Sequence, residues 1–370
     1  MRILLIAFHF SEYSYLLARS LANRQEVFFV VNGDNLHSEL NENRVQWKEG
    51  NLSVKALRPL GLRHWRMLGN TAKIAGIIKG FRPDVIHIQE APTDYLFAAL
   101  PILSNYPLVL TVHDHIPHSG SCVMLRNRLY RMCLRRMADA IIVHAKRIAV
   151  ECSALFPFLK HKLVVVNHGV LGNESVEFRC DWEVGSALFF GRIESYKGLG
   201  VFVKAIQFLS EQDAATVVKG VIAGTGSDLN HYRRILKSDP HFELIDRYIR
   251  PSEVSSLFRK SNVVVLPYLE ATQSGVAAYA LRYGRPMIAS HVGGLSEMVR
   301  QSRNGFLINP GDYVSLATHL KRLISDQELS CKMGWYSFRM GLSEYSWDHI
   351  SVETTKVYRE AIRMKAAKKK

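Results

Sequence analysis

Ala187-Leu188-Phe189-Phe190-Gly191-Arg192-Ile193-Glu194-Ser195-Tyr196-Lys197-Gly198, with the apolar-periodic run Val201 to Leu209 behind it, decides the fold. Four consecutive apolar residues suit a strand buried on both faces, and Gly191 with its polar neighbours ends it. Apolar positions then return at helical spacing. Strand, loop and helix in that order make half of a βαβ unit.

The same alternation extends in both directions. Towards the N-terminus, Arg2 to Phe8, Glu26 to Asn32, Val85 to Gln89, Leu108 to His113, Ala140 to His144 and Leu163 to Val166 read as strands. Towards the C-terminus, Val217 to Ala223, Val263 to Pro267 and Met287 to Ser290 do the same. Helical stretches intervene, among them Tyr15 to Asn23 and Val276 to Arg282. From Gly169 to Ser186 the pattern lapses into polar and small residues. The expected organisation is an α/β protein of two doubly wound, Rossmann-like parallel-sheet domains. Residues 1–172 are expected to form an N-terminal domain and 183–345 a C-terminal one. Residues 346–370 form a helix and basic tail that pack back on the first. Such domains bind ligands at the carboxyl ends of their strands, so the expected site is a cleft between the two. A dinucleotide fingerprint is missing: the turn after the first strand reads His9-Phe10-Ser11, and Gly224-Thr225-Gly226 lacks the third glycine.

Composition agrees with this. The chain has 370 residues, 48% of them hydrophobic, enough for two cores. Its five cysteines show no short paired spacing, which argues against zinc and a disulfide framework and for a reducing compartment. Met1 to Phe10 reads as a buried first strand, because Glu12 follows without a small-residue cleavage site. No apolar run reaches the roughly 18 residues that span a bilayer. The 48 Lys and Arg outnumber the 33 Asp and Glu, a formal charge of +15 that favours anionic partners. No nucleic-acid-binding motif accompanies that charge, so diphosphates and acidic membranes are the expected partners.

Arg192 and Lys197, at the mouth of a strand-to-helix loop, are placed to neutralise a diphosphate. Thr272-Gln273-Ser274-Gly275 follows the strand ending Leu266-Pro267-Tyr268, and a Ser-Gly pair opening a helix leaves backbone N–H groups for phosphate or sugar oxygens. Each has a plainer reading, a solvated loop and an ordinary helix cap. Together with Val221 to Gly226, Gly284-Arg285-Pro286, Gly293 to Glu297 and Asn304-Gly305 to Asp312, they resemble glycosyltransferase family 4 in order and spacing. Arg82 to His87, Thr111 to Asp114, Ala138-Asp139 and Asn167 to Val170 extend the resemblance to the N-terminal half.

That resemblance implies the GT-B fold and transfer of a hexose from a nucleotide-diphosphate sugar with retention, residues 1–172 being the acceptor-side domain and 183–345 the nucleotide-sugar-binding domain. Arg192 and Lys197 would bind the donor diphosphate, the amides around Gln273 to Val276 would hold phosphate and sugar, and Ile249 would lie against the base. His113 would stand near the transferred sugar, with Asp114 and His118 beside it. The glutamates that many members carry eight positions apart fall here on Ala271 and Tyr279, with Glu270 one residue early. A Thr-Gln-Ser-Gly loop is similar to a subgroup of the family. Glu270, Thr272, Gln273, Ser274, Gly275, Val276 and Tyr279 are therefore the donor-loop candidates.

No Asp-x-Asp occurs, so a metal lacks its usual ligand pair and the two cations replace it. No cofactor is called for beyond the nucleotide-sugar. The acceptor is a glycan or a lipid-linked sugar, as in cell-surface polysaccharide synthesis, and the expected location is cytoplasmic, at the inner face of the membrane. Arg126, Arg128, Arg131, Arg135 and Arg136 interleave with Leu125, Leu129, Met132 and Cys133 without an acid. That is the pattern of a basic amphipathic helix resting on anionic lipid. Two other readings fit the same layout: a nucleotide-sugar epimerase, with Glu297 as its carboxylate, and a non-catalytic nucleotide-binding relative.

Overall fold

The computed structural model describes residues 1–40, 45–58, 67–90, 96–114, 125–172, 175–213 and 216–368. The chain divides into two compact units, Met1–Gly169 with Trp347–Lys370, and Val170–Ser346. Each is a twisted sheet with helices on its faces.

The first sheet has strands β1 (Arg2–Ala7), β2 (Glu26–Asn32), β3 (Lys48–Glu49), β4 (Leu52–Leu57), β5 (Val85–Gln89), β6 (Leu108–Thr111), β7 (Ala140–Val143) and β8 (Leu163–Val165). Their order is β3-β4-β2-β1-β5-β6-β7-β8. All pairings are parallel except that of the two-residue β3 with β4. Ile3 to Ala7 and Val85 to Gln89 are buried throughout, as central parallel strands covered on both faces must be. The C-terminal helix Trp347–Ala367 belongs to this unit. Its Tyr358 is fully buried, and the Ser20 hydroxyl reaches the Trp347 carbonyl at 2.9 Å and Ser351 at 3.0 Å.

The second sheet is wholly parallel, with β9 (Glu183–Phe190), β10 (Lys219–Ala223), β11 (Phe242–Ile245), β12 (Ser261–Leu266), β13 (Met287–Ser290) and β14 (Gly305–Ile308) in the order β11-β10-β9-β12-β13-β14. The strand order reverses between β9 and β12, which opens a crevice at their carboxyl ends. The stretch Phe190 to Gly198 leaves β9 at that point.

Two expectations change. Cys180 and Cys331 form a disulfide with Cα atoms 5.6 Å apart, across 151 residues of sequence. Short spacing cannot reveal so distant a pair, and the composition argument for a reducing compartment falls with it. The helix Leu125–Met137 also presents a different face from the one expected. Arg131 and Arg135 turn inward, 9% and 3% exposed, and both donate to the Glu90 carboxylate at 2.7 Å. Tyr130 and Leu134 are buried beside them, while Leu125 and Leu129 are 71% and 58% exposed. Helical periodicity marks one face without saying which side is core, and Glu90, 35 or more residues upstream, decides it.

Among the described residues no helix is long and apolar enough to cross a membrane.

Candidate functional site

In the second unit the site is built around the crevice between β9 and β12. Gly191 takes φ +102°, a conformation that favours glycine, and a Cβ there would press on the Lys197 Nζ at 3.1 Å and on Val276 at 3.6 Å. Lys197 therefore folds back under the strand end, and the loop after β9 meets the start of the helix Gly275–Arg282. Two further close approaches lock the loops: a Cβ at Gly198 would collide with the Pro267 carbonyl, and one at Gly224 with that of Gly191. Leu269 N–H donates to the Tyr196 carbonyl at 2.7 Å, which ties the loop after β12 to the loop after β9.

Lys197 is 9% exposed, with its ammonium 5.5 Å from the centre of the Tyr268 ring. Burial, then the like charge of Arg192, lowers its pKa to about 8, against the pull of Glu194. Arg192 is exposed. Two cations thus share one strand end, one solvated and one poised to lose its proton.

Ser274 caps the helix Gly275–Arg282, its hydroxyl accepting from Ala277 N–H at 3.3 Å. That leaves the Gly275 and Val276 amides, which a helix does not pair internally in its first turn. Thr272 is buried, and its carbonyl accepts from Gly294 N–H at 2.9 Å, so the donor loop is held against the Val292 to Ser296 turn. The Gln273 side-chain Oε1 is buried and has no hydrogen-bond partner among the described residues. Glu270 is exposed at the outer end of the loop.

Ile249 is buried at 7%, just beyond β11 and before the helix Pro251–Lys260. Glu253 fixes this turn through Arg247 at 2.6 Å and the Arg250 amide at 3.1 Å. Those bonds, Arg247 first, hold the Glu253 carboxyl down to about 2. Tyr279 lies among Phe190, Phe258 and Tyr283, with ring centres 5.4 to 6.5 Å away. Arg192, Lys197, Thr272, Ser274, Gly275 and Val276 are brought to the crevice; Ile249 lies beyond β11, at the sheet edge two strands from β9. Tyr268 was missed as a site residue, although Leu266-Pro267-Tyr268 marks a strand end in the sequence.

In the first unit His113 follows β6, 1% exposed, with Nε2 2.8 Å from the Gln89 Oε1. The histidine is not alone. His144 follows β7 and His168 lies just past β8, both buried, with ring centres 5.0 and 6.3 Å from His113. Tyr13 touches all three, and Phe10 stacks on His113 at 3.9 Å. Burial keeps the group uncharged. It lowers His87 and His168 to about 3 and His144 to about 4, and with the neighbouring histidines it holds His113 well below the usual range. Asp114 accepts a bond from Arg131 through its carbonyl; His118 lies outside the described residues. The signal missed in the sequence is the recurrence of histidine one to three residues past β1, β6, β7 and β8.

Among the described residues no group of three or more His, Cys, Asp or Glu side chains could hold a metal ion.

Comparison with known proteins completes the description. Residues 185–326 match the family model described as glycosyl transferases group 1, and residues 11–170 that of glycosyltransferase family 4. An uncharacterized glycosyltransferase of Methanocaldococcus jannaschii is 26% identical over 92% of this chain and 91% of its own. Among solved structures, sucrose-phosphate synthase from Thermosynechococcus elongatus superposes with a TM-score of 0.73 at 17% identity, covering 98% of this chain and 99% of that one. The Anabaena protein HepE, solved in complex with UDP-glucose, gives 0.71 at 15% identity, covering 97% and 99%.

Proposed function

Starting from a chain that is a glycosyltransferase of the GT-B type, we propose that it transfers a hexose from a nucleotide-diphosphate sugar, with retention and without a metal. The observation that carries this reading is the pairing, at one topological switch point, of the Arg192 and Lys197 cations with the amide-bearing first turn at Gly275 and Val276. The cations face the charge that develops on a departing diphosphate, and the amides face its oxygens or the sugar's. Ile249 covers the base from its own turn. The Thr-Gln-Ser-Gly loop is similar to that of a family subgroup and supports assigning the chain to it, while Tyr279, packed among aromatic rings, leaves ribose to other contacts.

A double displacement needs a carboxylate close under the anomeric carbon. Ala271 to Gly275 supplies none. The bond from the anomeric carbon to the diphosphate therefore breaks as the acceptor oxygen bonds to the same face, and the acceptor's proton passes to the departing phosphate oxygen. His113 serves a hydroxyl of the transferred sugar. The acceptor is a glycan or lipid-linked sugar of a cell-surface polysaccharide. The outward face of the helix Leu125–Met137, with Leu125, Leu129, Arg128 and Arg136, suits contact with an acidic membrane.

Thermal stabilisation across a panel of nucleotide-sugars identifies the donor, since a ligand at 100 times its Kd adds roughly 2.7 kcal/mol. With that donor, product configuration by NMR should show retention, and intact mass during turnover should show no glycosyl-enzyme. An inverted product, or an adduct on Glu270, overturns the mechanism.

A further inference from the structure

We propose that Gln89 is a positioning residue that locks His113 as the Nε2–H tautomer, so that its Nδ1 lone pair accepts a sugar hydroxyl. The inference rests on the role given to His113 above and adds the device that makes it one-directional.

The chain of bonds begins on the C-terminal helix. Tyr358 and His87 are fully buried, with the Tyr358 hydroxyl 2.7 Å from the His87 Nδ1. On the other side of the ring, the His87 Nε2 faces the Thr111 hydroxyl at 2.7 Å and the Gln89 amide nitrogen at 3.4 Å. An amide nitrogen can only donate, so the His87 Nε2 is the acceptor and its proton sits on Nδ1, towards Tyr358. Burial keeps this imidazole uncharged, with one proton only. The Gln89 carbonyl oxygen then points the other way, to the His113 Nε2 at 2.8 Å, and an oxygen there requires an N–H. His113 is left with an unprotonated Nδ1.

That Nδ1 is buried and has no hydrogen-bond partner among the described residues. Turning the Gln89 amide over and reversing every bond would put the proton on that Nδ1 instead; with the Gln89 oxygen facing His113, Nδ1 is left as an unused acceptor. An unused acceptor can still be filled by a ligand. A sugar hydroxyl, which donates readily and carries no charge, fits it better than a phosphate, which at neutral pH brings acceptor oxygens. Phe10 covers one face of the ring. It stacks on the ring at 3.9 Å from a left-handed backbone with φ +60°, a conformation that costs a non-glycine residue energy and is often held for a functional reason.

Nitrogen-15 NMR of histidine-labelled protein reads the tautomer directly. Wild type should show His113 protonated at Nε2; protonation at Nδ1 overturns the proposal with no variant needed. Gln89→Met keeps the volume and removes the acceptor. It should shift the His113 spectrum towards a tautomer mixture and lower kcat about tenfold with the donor found by the thermal screen, while KM for that donor changes little. Gln89→Glu restores an acceptor oxygen but draws a second proton onto the imidazole, so it should not rescue kcat. A Gln89→Met enzyme with wild-type spectrum and rate overturns the positioning role. A fully active His113→Ala enzyme instead removes the sugar contact, while the tautomer stands or falls on the spectrum.

Discussion

At the strand ends of the first sheet, His113, His144 and His168 lie against Tyr13 and one another, buried and uncharged. At those of the second, Arg192 and Lys197 carry like charges into one crevice, with Glu194 as a weaker counterweight. Both sheets are doubly wound, so the topology delivers loops to the same kind of place in each. What differs is how the loops were made tolerable. The histidines of the first unit pack against one another and give up their charge. In the second, charge is retained near a strand end and awaits a counter-anion. The first arrangement is a closed, neutral cluster; the second is the one to which the proposed function assigns the diphosphate.

The largest effect expected from this contrast is acid instability of the first unit. His87 and His168, at about 3, and His144, at about 4, bind protons far less readily when folded than the usual 6.5 of an unfolded chain. Below about pH 6.5 the unfolded state gains protons that the native state refuses, so stability falls with pH until the folded values are reached. Three such groups cost on the order of 6 kcal/mol by pH 5. Circular dichroism and calorimetry from pH 7.5 to 4.5 should show the first unit melting ahead of the second. A pH-independent melt removes the claim that these histidines are held neutral.

Next in size is the ion triad. Glu90 sits between Arg131 and Arg135 with its side chain 2% exposed. Glu90→Ala strands two buried cations and should cost about 3 to 5 kcal/mol by chemical denaturation. Arg128→Gln with Arg136→Gln, on the outward face, should stay within about 0.5 kcal/mol of wild type and yet release the protein from acidic vesicles at low salt. Equal destabilisation by both sets would erase the distinction between the two faces, and vesicle binding that ignores Arg128 and Arg136 would remove the membrane contact.

In the second unit, Arg192→Ala or Lys197→Ala should lower turnover on the order of 100-fold, about 2.7 kcal/mol, with melting unchanged. Near-normal rates would detach the cations from the diphosphate.

These contrasts were unequally legible in the sequence. Central strands such as β1, with Ile3 to Ala7, are continuous apolar runs and announce themselves. β4, with Ser53 and Lys55, and the four-residue β11 at a sheet edge were not anticipated, because half-exposed strands are short or mixed in character. Arg192, Lys197 and Ser274 were visible because a strand-to-helix loop constrains what lies in it. Gln89 was hidden: as the last residue of a buried strand it looks like the end of a run, and its meaning comes from His87, His113 and Tyr358, the last 269 positions away by number. The Glu90 triad was hidden for the same reason, since periodicity cannot report a partner on another strand.

The smallest predicted effect separates the two cations of the proposed diphosphate receptor. Lys197 loses its proton at about pH 8 in the free protein, for burial and the Arg192 charge both oppose protonation. A diphosphate bound beside it favours the charged form and raises that value, so binding above pH 8 must take up a proton. Affinity for UDP, measured by calorimetry, should hold steady from pH 7 to 8 and then weaken about tenfold per pH unit, 1.4 kcal/mol, until the raised value in the complex is reached. Lys197→Arg cannot lose its charge in this range and should flatten the profile, whatever it does to the absolute affinity. Arg192→Gln removes the like charge, lifts the Lys197 value and should move the break to higher pH. A wild-type profile flat from pH 7 to 10 would mean that Lys197 does not meet the phosphates, and the receptor would then rest on Arg192 and the helix amides.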